Sequence, residues 1–158
     1  MTDVFAPEKR AAVMRAVKAR DTGPELKVRA IVRALGHRYR LDARDLPGRP
    51  DIVQRGRRKA IFVHGCFWHG HDCLRGARMP KANADYWRAK IARNRARDID
   101  ATEALSSAGW SCVTVWECAL KDRAAVADAL AAFLGPAPSS SRPRSTRPSS
   151  QLPSQPSA

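Results

Sequence analysis

A chain of 158 residues fits one domain of ordinary size with a hydrophobic core of its own. Its 29 Lys and Arg against 15 Asp and Glu leave a formal charge of +14, which points to a polyanionic partner. No apolar run is long enough to span a bilayer and MTDVFAPEKR lacks the apolar core of a secretory signal, so a membrane or secreted protein is not expected and a cytoplasmic one is. In that reducing compartment Cys66, Cys73, Cys112 and Cys118 are expected as thiols or metal ligands.

Residues from about Pro7 to Arg20 read as a basic surface helix or arm. Asp21 or Thr22 can cap the next helix, Pro24 suits its first turn, and Leu26, Ala30, Ile31, Ala34 and Leu35 supply an apolar set that ends at Gly36. Arg38 to Leu41 suggests a short strand. Leu46-Pro47-Gly48-Arg49-Pro50 is a rigid loop leading into Asp51-Ile52-Val53, and Gln54 to Arg58 reverses the chain. Ala60 to Val63 is an apolar run of the kind a covered central strand carries.

After a polar loop from His64 to Ala82, Asn83 can cap a long helix reaching about Ser107, with Trp87, Ile91, Ile99 and Leu105 as its apolar positions. Gly109 stops it. Trp110 to Trp116 is a second apolar strand, and Asp122 caps a final helix packing through Val126, Leu130, Phe133 and Leu134. Helices alternating with a few strands imply an α/β sandwich around a mixed sheet. Composition changes at Gly135: six of the eleven prolines follow it, with Leu152 the only large aliphatic residue. Residues 1–135 are therefore expected to fold, and 136–158 to be a disordered Pro/Ser/Arg-rich tail. That tail holds only Arg142, Arg144 and Arg147 of the positive charge, so the basic character belongs to the domain.

Chemistry concentrates in HGCFWHGHDC, His64 to Cys73. Cys66, His71 and Cys73, joined by the distant Cys118, form a ligand set of the type zinc prefers in a closed structural site, and metal would staple a loop that lacks a core. Buried thiols and surface histidines are the alternative. Cys112, inside an apolar strand, reads as a small core residue. His64 and His69 are left over for acid-base work at phosphorus. The hairpin brings Asp51 near His64, where a carboxylate and a main-chain carbonyl such as that of Val63 suit Mg²⁺; a turn-forming role for Asp51 and a helix-dipole role for Glu25 are equally open from the pattern. Phe67 and Trp68 on the loop, and Trp87 on the helix, could stack on or wedge between bases, with core filling the alternative for Trp68 and above all for Trp87.

These residues resemble the very short patch repair endonucleases, which nick DNA beside a T opposite G. The match runs through Met14-Arg15-Ala16, Arg20-Asp21-Thr22, Glu25, LPGRPD, HGCFWHGHDC, Gly109-Trp110 and VWECAL at Val115 to Leu120. The resemblance implies a restriction-endonuclease-like fold, one structural zinc, and catalytic Mg²⁺ on Asp51 and the Val63 carbonyl. It makes Asp51, His64, His69 and Glu25 the catalytic set, with His69 the general base. Phe67, Trp68 and Trp87 would open the base stack, and the N-terminal helix with Met14 and Arg15 would grip DNA. The expected partner is double-stranded DNA with a T:G mismatch, acted on by a nucleoid-associated monomer that also meets mismatch-repair proteins. Val63 stands where the family often has Thr, a change tolerated where only its carbonyl serves; Gly70 and Asp72 stand where relatives can carry histidines, and because His71 and Cys73 persist the zinc ligand set survives. A non-catalytic zinc-stabilised DNA-binding module, or a nicking enzyme of different specificity, are the alternatives.

Overall fold

The computed structural model describes residues 20–139 together with Glu8, Ala11 and Ala12. Met14 and Arg15, most of the expected N-terminal helix, and the tail from Ser140 lie outside the described residues. In chain order the elements are α1 (Gly23–Ala34), β1 (Arg40–Leu41), β2 (Ile52–Gln54), β3 (Lys59–His64), α2 (Ala84–Ser107), β4 (Ser111–Trp116) and α3 (Arg123–Leu134), with 3₁₀ turns at Arg55–Arg57 and Glu117–Lys121. The four strands form one mixed sheet in the order β1-β2-β3-β4, antiparallel except for the parallel β3–β4 pair. This is the mixed α/β sheet flanked by helices expected from the sequence.

Alternation along β3 divides the core. Ile61 points to one face, where Val28 and Val32 of α1, Val115 of β4 and Leu130 and Leu134 of α3 meet it. Ala60 and Phe62 point to the other, against Val53, Ala43 and Leu105 of α2. Cys112 is partly buried against this second cluster, as its place in an apolar strand suggests. Among the described residues no helix is long and apolar enough to cross a membrane.

Four local expectations need correction. The buried face of α1 is Glu25, Val28, Arg29, Ile31 and Val32, whereas Ala30 and Ala34 are exposed and Leu26 is 50% exposed. Two of the inward positions are charged, so apolar spacing alone set the helix in the wrong phase. Gln54 is the last residue of β2, buried, with its amide donating to the Arg38 carbonyl at 3.1 Å; the reversal is the 3₁₀ turn, closed by left-handed Arg58 at φ 50°. Asn83 starts α2 from a left-handed backbone (φ 56°) rather than through a side-chain cap. Ile99 is 58% exposed, because the inward face of this 24-residue helix runs through Trp87, Ile91, Asn94, Asp98, Ala101 and Leu105.

The caps at Thr22 and Asp122 are as expected. Thr22 Oγ1 accepts from Glu25 N–H at 3.4 Å and donates to Glu25 Oε1 at 3.0 Å, while Asp122 Oδ1 accepts from Ala125 N–H at 3.0 Å. At the far end of α3, Arg57 donates to the carbonyls of Leu134 and Pro136, each at 2.8 Å, and Lys59 to that of Phe133, placing cations at the negative end of the helix.

Gly48 fixes the loop that delivers Asp51. Its φ is +71°, and a Cβ there would lie 2.5 Å from Ala101 Cβ and 3.2 Å from the Phe62 ring. Gly48→Ala should therefore lose about 2–3 kcal/mol of stability, from left-handed strain and overpacking together. Chemical denaturation checks this, and a loss below 0.5 kcal/mol would mean that the loop yields readily.

Candidate active site and metal centre

The end of the sheet where β2 begins and β3 finishes opens into a cleft of about 410 Å³, walled by Glu25, Arg49, Asp51, His64, His69 and Asp98. Each side chain arrives by a separate route. Asp51 precedes β2; its N–H donates to the Ile61 carbonyl at 3.1 Å and its Oδ2 accepts from the Val63 N–H at 2.7 Å, so the β2–β3 ladder holds it rigidly. Glu25 comes from the first turn of α1. Its Oε2 accepts from Arg29 at 3.1 Å and from the Asp21 N–H at 2.9 Å, and Arg29 also donates to Asp21 at 2.6 Å. A buried Glu–Arg pair thus stands at the cleft wall, which is where a charge survives burial.

Burial pushes the Asp51 carboxyl up to about 6; the Val63 N–H opposes this and the nearby Glu25 charge adds to it. Two carboxylates sharing a cleft in a strongly basic protein are a costly arrangement that a bound cation would relieve. Val63 is half-buried in β3 beside Asp51.

His64 ends β3, and the turn Gly65–His69 is closed by His69 N–H on the Gly65 carbonyl at 3.3 Å. The two imidazoles stack with centroids 3.8 Å apart and planes within 4°. His69 Nδ1 lies 2.6 Å from Asp98 Oδ2, and His64 Nε2 lies 4.0 Å from Asp98 Oδ1. An ionised carboxylate only accepts, so Nδ1 carries the proton and the lone pair of His69 is on Nε2. Burial, aided by the neighbouring His69, pulls His64 down to about 4, so it is neutral near pH 7.

Asp98 is the site residue that the sequence did not single out. It lies inside α2, one turn after Asn94, whose side chain donates to the Trp68 carbonyl at 2.8 Å. The available signal was an Asn94–Asp98–Thr102 stripe of poor helix formers at four-residue spacing on an otherwise charged helix.

Beside this cleft, the donor atoms of Cys66, His71, Cys73 and Cys118 all lie within 4.8 Å of one another. The grouping is the one expected from the spacing. Cys66 Sγ accepts from the Cys118 N–H and Cys73 Sγ from the Gly76 N–H, both at 3.4 Å, and Cys118 Sγ is 3.5 Å from His71 Nδ1. The loop folds so tightly that a Cβ on Gly76 would lie 2.0 Å from the His71 carbonyl oxygen. Burial pushes the Cys66 thiol up to about 12, while the His71 hydrogen bond chiefly draws Cys73 down to about 6. Three sulfurs and an imidazole around one point could hold a metal such as zinc, which would make thiolate favourable where burial alone opposes it.

Phe67 and Trp68 are half-buried and meet the buried Trp87 edge-on, at 5.6 and 6.0 Å between centroids. Lys90 Nζ stands 5.4 Å from the Trp68 centroid and 5.7 Å from that of Trp87. The three aromatics named from the sequence therefore form one cluster under a cation.

Comparison with known proteins fits this geometry. Residues 2–75 match the family model described as DNA mismatch endonuclease Vsr. The type II nicking enzyme V.XorIIP of Xanthomonas oryzae pv. oryzae is 47% identical over 136 residues, covering 86% of this chain and 99% of its own. The chain belongs to the Vsr family. The type II nicking enzyme V.NmeAIP of Neisseria meningitidis is 42% identical, over 78% of this chain and 88% of its own, and the DNA mismatch endonuclease Vsr of Escherichia coli is 38% identical over 81% of each. Vsr membership gives the α/β architecture its restriction-endonuclease-like character and makes DNA endonuclease chemistry the class of reaction this site serves.

The raised Asp51 carboxyl has a consequence for stability. Its ordinary value is 3.8 and its folded value about 6, so the charged form is disfavoured by folding: the cost is absent below about pH 4, grows through about pH 6 and is complete above it. Asp51→Asn keeps an acceptor for the Val63 N–H without the charge. The metal-free variant should exceed the parent by about 2–3 kcal/mol at pH 7.5, with the difference vanishing near pH 4. Equal stability at both pH values in urea denaturation would show that this carboxylate is not penalised.

Proposed function

We propose that this chain is a Mg²⁺-dependent endonuclease that hydrolyses one phosphodiester on the 5′ side of the thymine in a T:G mismatch and so starts very short patch repair. The observation that carries the proposal is the convergence of Asp51, Glu25 and the His69–Asp98 pair on a single cleft. Asp51 fits a hard cation: one carboxylate oxygen takes the Val63 N–H, and among the described residues the other has no hydrogen bond. Asp51 and the Val63 carbonyl would hold Mg²⁺, which supplies charge neutralisation and polarisation at phosphorus.

The chain's own groups then divide the work. His69 Nε2 takes a proton from water as the water oxygen attacks phosphorus, and the bond to the leaving sugar oxygen breaks, that oxygen taking up a proton from a solvent water. Asp98 fixes the ring and steadies the imidazolium that forms. His64, neutral because it is buried, lets the stacked His69 accept that proton without like-charge repulsion. Cys66, His71, Cys73 and Cys118 would hold zinc and so brace the loop, and Phe67 and Trp68, backed by the buried Trp87, enter the stack at the mismatch, with Met14 and Arg15 gripping the duplex. The names of the nicking-enzyme relatives support an alternative target, a different mismatch or flanking sequence, with the same chemistry.

In single-turnover nicking of a T:G duplex with excess Mg²⁺, Asp51→Ala should lose about 10³-fold or more and His69→Ala about 10²-fold or more. Parent-like rates in either would sink the mechanism. Metal analysis of protein purified without added metal should find close to one zinc per chain, with both zinc and thermal stability lost in Cys118→Ser. Absence of zinc in folded, active parent protein would remove the structural metal.

A further inference from the structure

A second groove, of about 340 Å³, adjoins the cleft and shares Glu25, Arg49 and Asp51 with it. Arg20, Arg29 and Arg44 complete its basic lining. Three of these four arginines already have carboxylate partners. Arg29 is matched by Glu25 and Asp21, while Arg20 and Arg44 share one oxygen of Asp42, at 3.1 and 3.0 Å. That sharing holds two guanidiniums side by side over a single negative charge, leaving the pair with unneutralised donors.

Arg49 differs from the rest. It is exposed, and among the described residues its side chain makes no hydrogen bond or ion pair. Its backbone is left-handed, at φ 50°, directly after left-handed Gly48 and directly before Pro50, where an extended conformation is preferred. The turn itself is held by the Arg49 N–H on the Leu46 carbonyl at 3.1 Å. A glycine would carry this backbone without strain, so nothing in the turn calls for an arginine. What the residue adds is a free guanidinium on the ridge between groove and cleft.

We infer that the groove is a backbone-phosphate subsite for the cleaved strand, with Arg49 its main contact and the Arg20–Asp42–Arg44 cluster its far wall. A phosphodiester is the natural ligand, since a guanidinium presents paired donors to two phosphate oxygens, and the groove opens directly beside the acids of the cleft. Seated there, the strand would bring its neighbouring phosphodiester over Asp51. The subsite rests on the endonuclease proposal for the cleft.

The test measures duplex binding without Mg²⁺ as a function of salt, and nicking with it, for the parent, Arg49→Gly and Arg49→Lys. Arg49→Gly should melt at or above the parent temperature, bind about tenfold more weakly, and show a salt slope smaller by about one. Arg49→Lys should restore the slope but only part of the affinity, because an ammonium lacks the paired donors. A single neutral methylphosphonate scanned through the phosphates flanking the nick should cost the parent about tenfold at one position and cost Arg49→Gly nothing there. Parent affinity and slope in Arg49→Gly, or equal methylphosphonate penalties in both proteins at every position, would overturn the subsite. A parent that binds but never nicks would refute the endonuclease proposal, and the affinities would still decide the subsite.

Discussion

The site depends above all on the parallel pairing of β3 with β4, in a register that sets His64 beside Trp116. Two strands leaving a sheet at the same end and in the same direction bring their following residues together however distant they are in sequence. Two positions on, Cys66 and Cys118 meet, and the Cys118 N–H donates to Cys66 Sγ. The segment between β3 and α2 is held against the strand ends by this Cys/His cluster, together with the packing of Phe67 and Trp68 on Trp87 and the Asn94 bond to the Trp68 carbonyl. Trp116 reinforces this, stacking on His71 at 4.3 Å and meeting His64 edge-on at 5.4 Å. His69, Phe67 and Trp68 inherit their positions from that anchored loop.

Charge is distributed on opposite principles at the surface and in the cleft. The surface is basic enough to draw in a polyanion, whereas the cleft gathers Glu25, Asp51 and Asp98 within a partly dry wall. Under the proposed function, a cation held at Asp51 would offset these acids and let a phosphodiester approach the wall. Of the cleft's charges, Glu25 is balanced within the fold by Arg29 and Asp98 sits against His69, while among the described residues Asp51 takes the Val63 N–H alone.

Much of this was legible in the chain itself. The strands β3 and β4 announce themselves as apolar runs, and the density of Cys and His in ten residues points to the cluster that could hold a metal. The position of Asp51 at the head of a hairpin was enough to place it near His64. Less visible were features that run against the usual grammar. Glu25 and Arg29 occupy the buried stripe of α1 as a charge pair, which periodicity of apolar residues cannot see. Asp98 hides among the charges of a long basic helix, and only the fold shows that it points at His69. Arg49 looks like an ordinary loop arginine until its backbone angle is known.

The most direct measurement is nucleotide-resolution mapping of the cut on a duplex labelled in either strand, comparing a T:G pair with T:A in the same sequence. The expected outcome is one break, in the thymine strand on the 5′ side of the mismatch, with the complementary strand intact and the T:A duplex resistant. Breaks in both strands, or equal cutting of T:A, would contradict it.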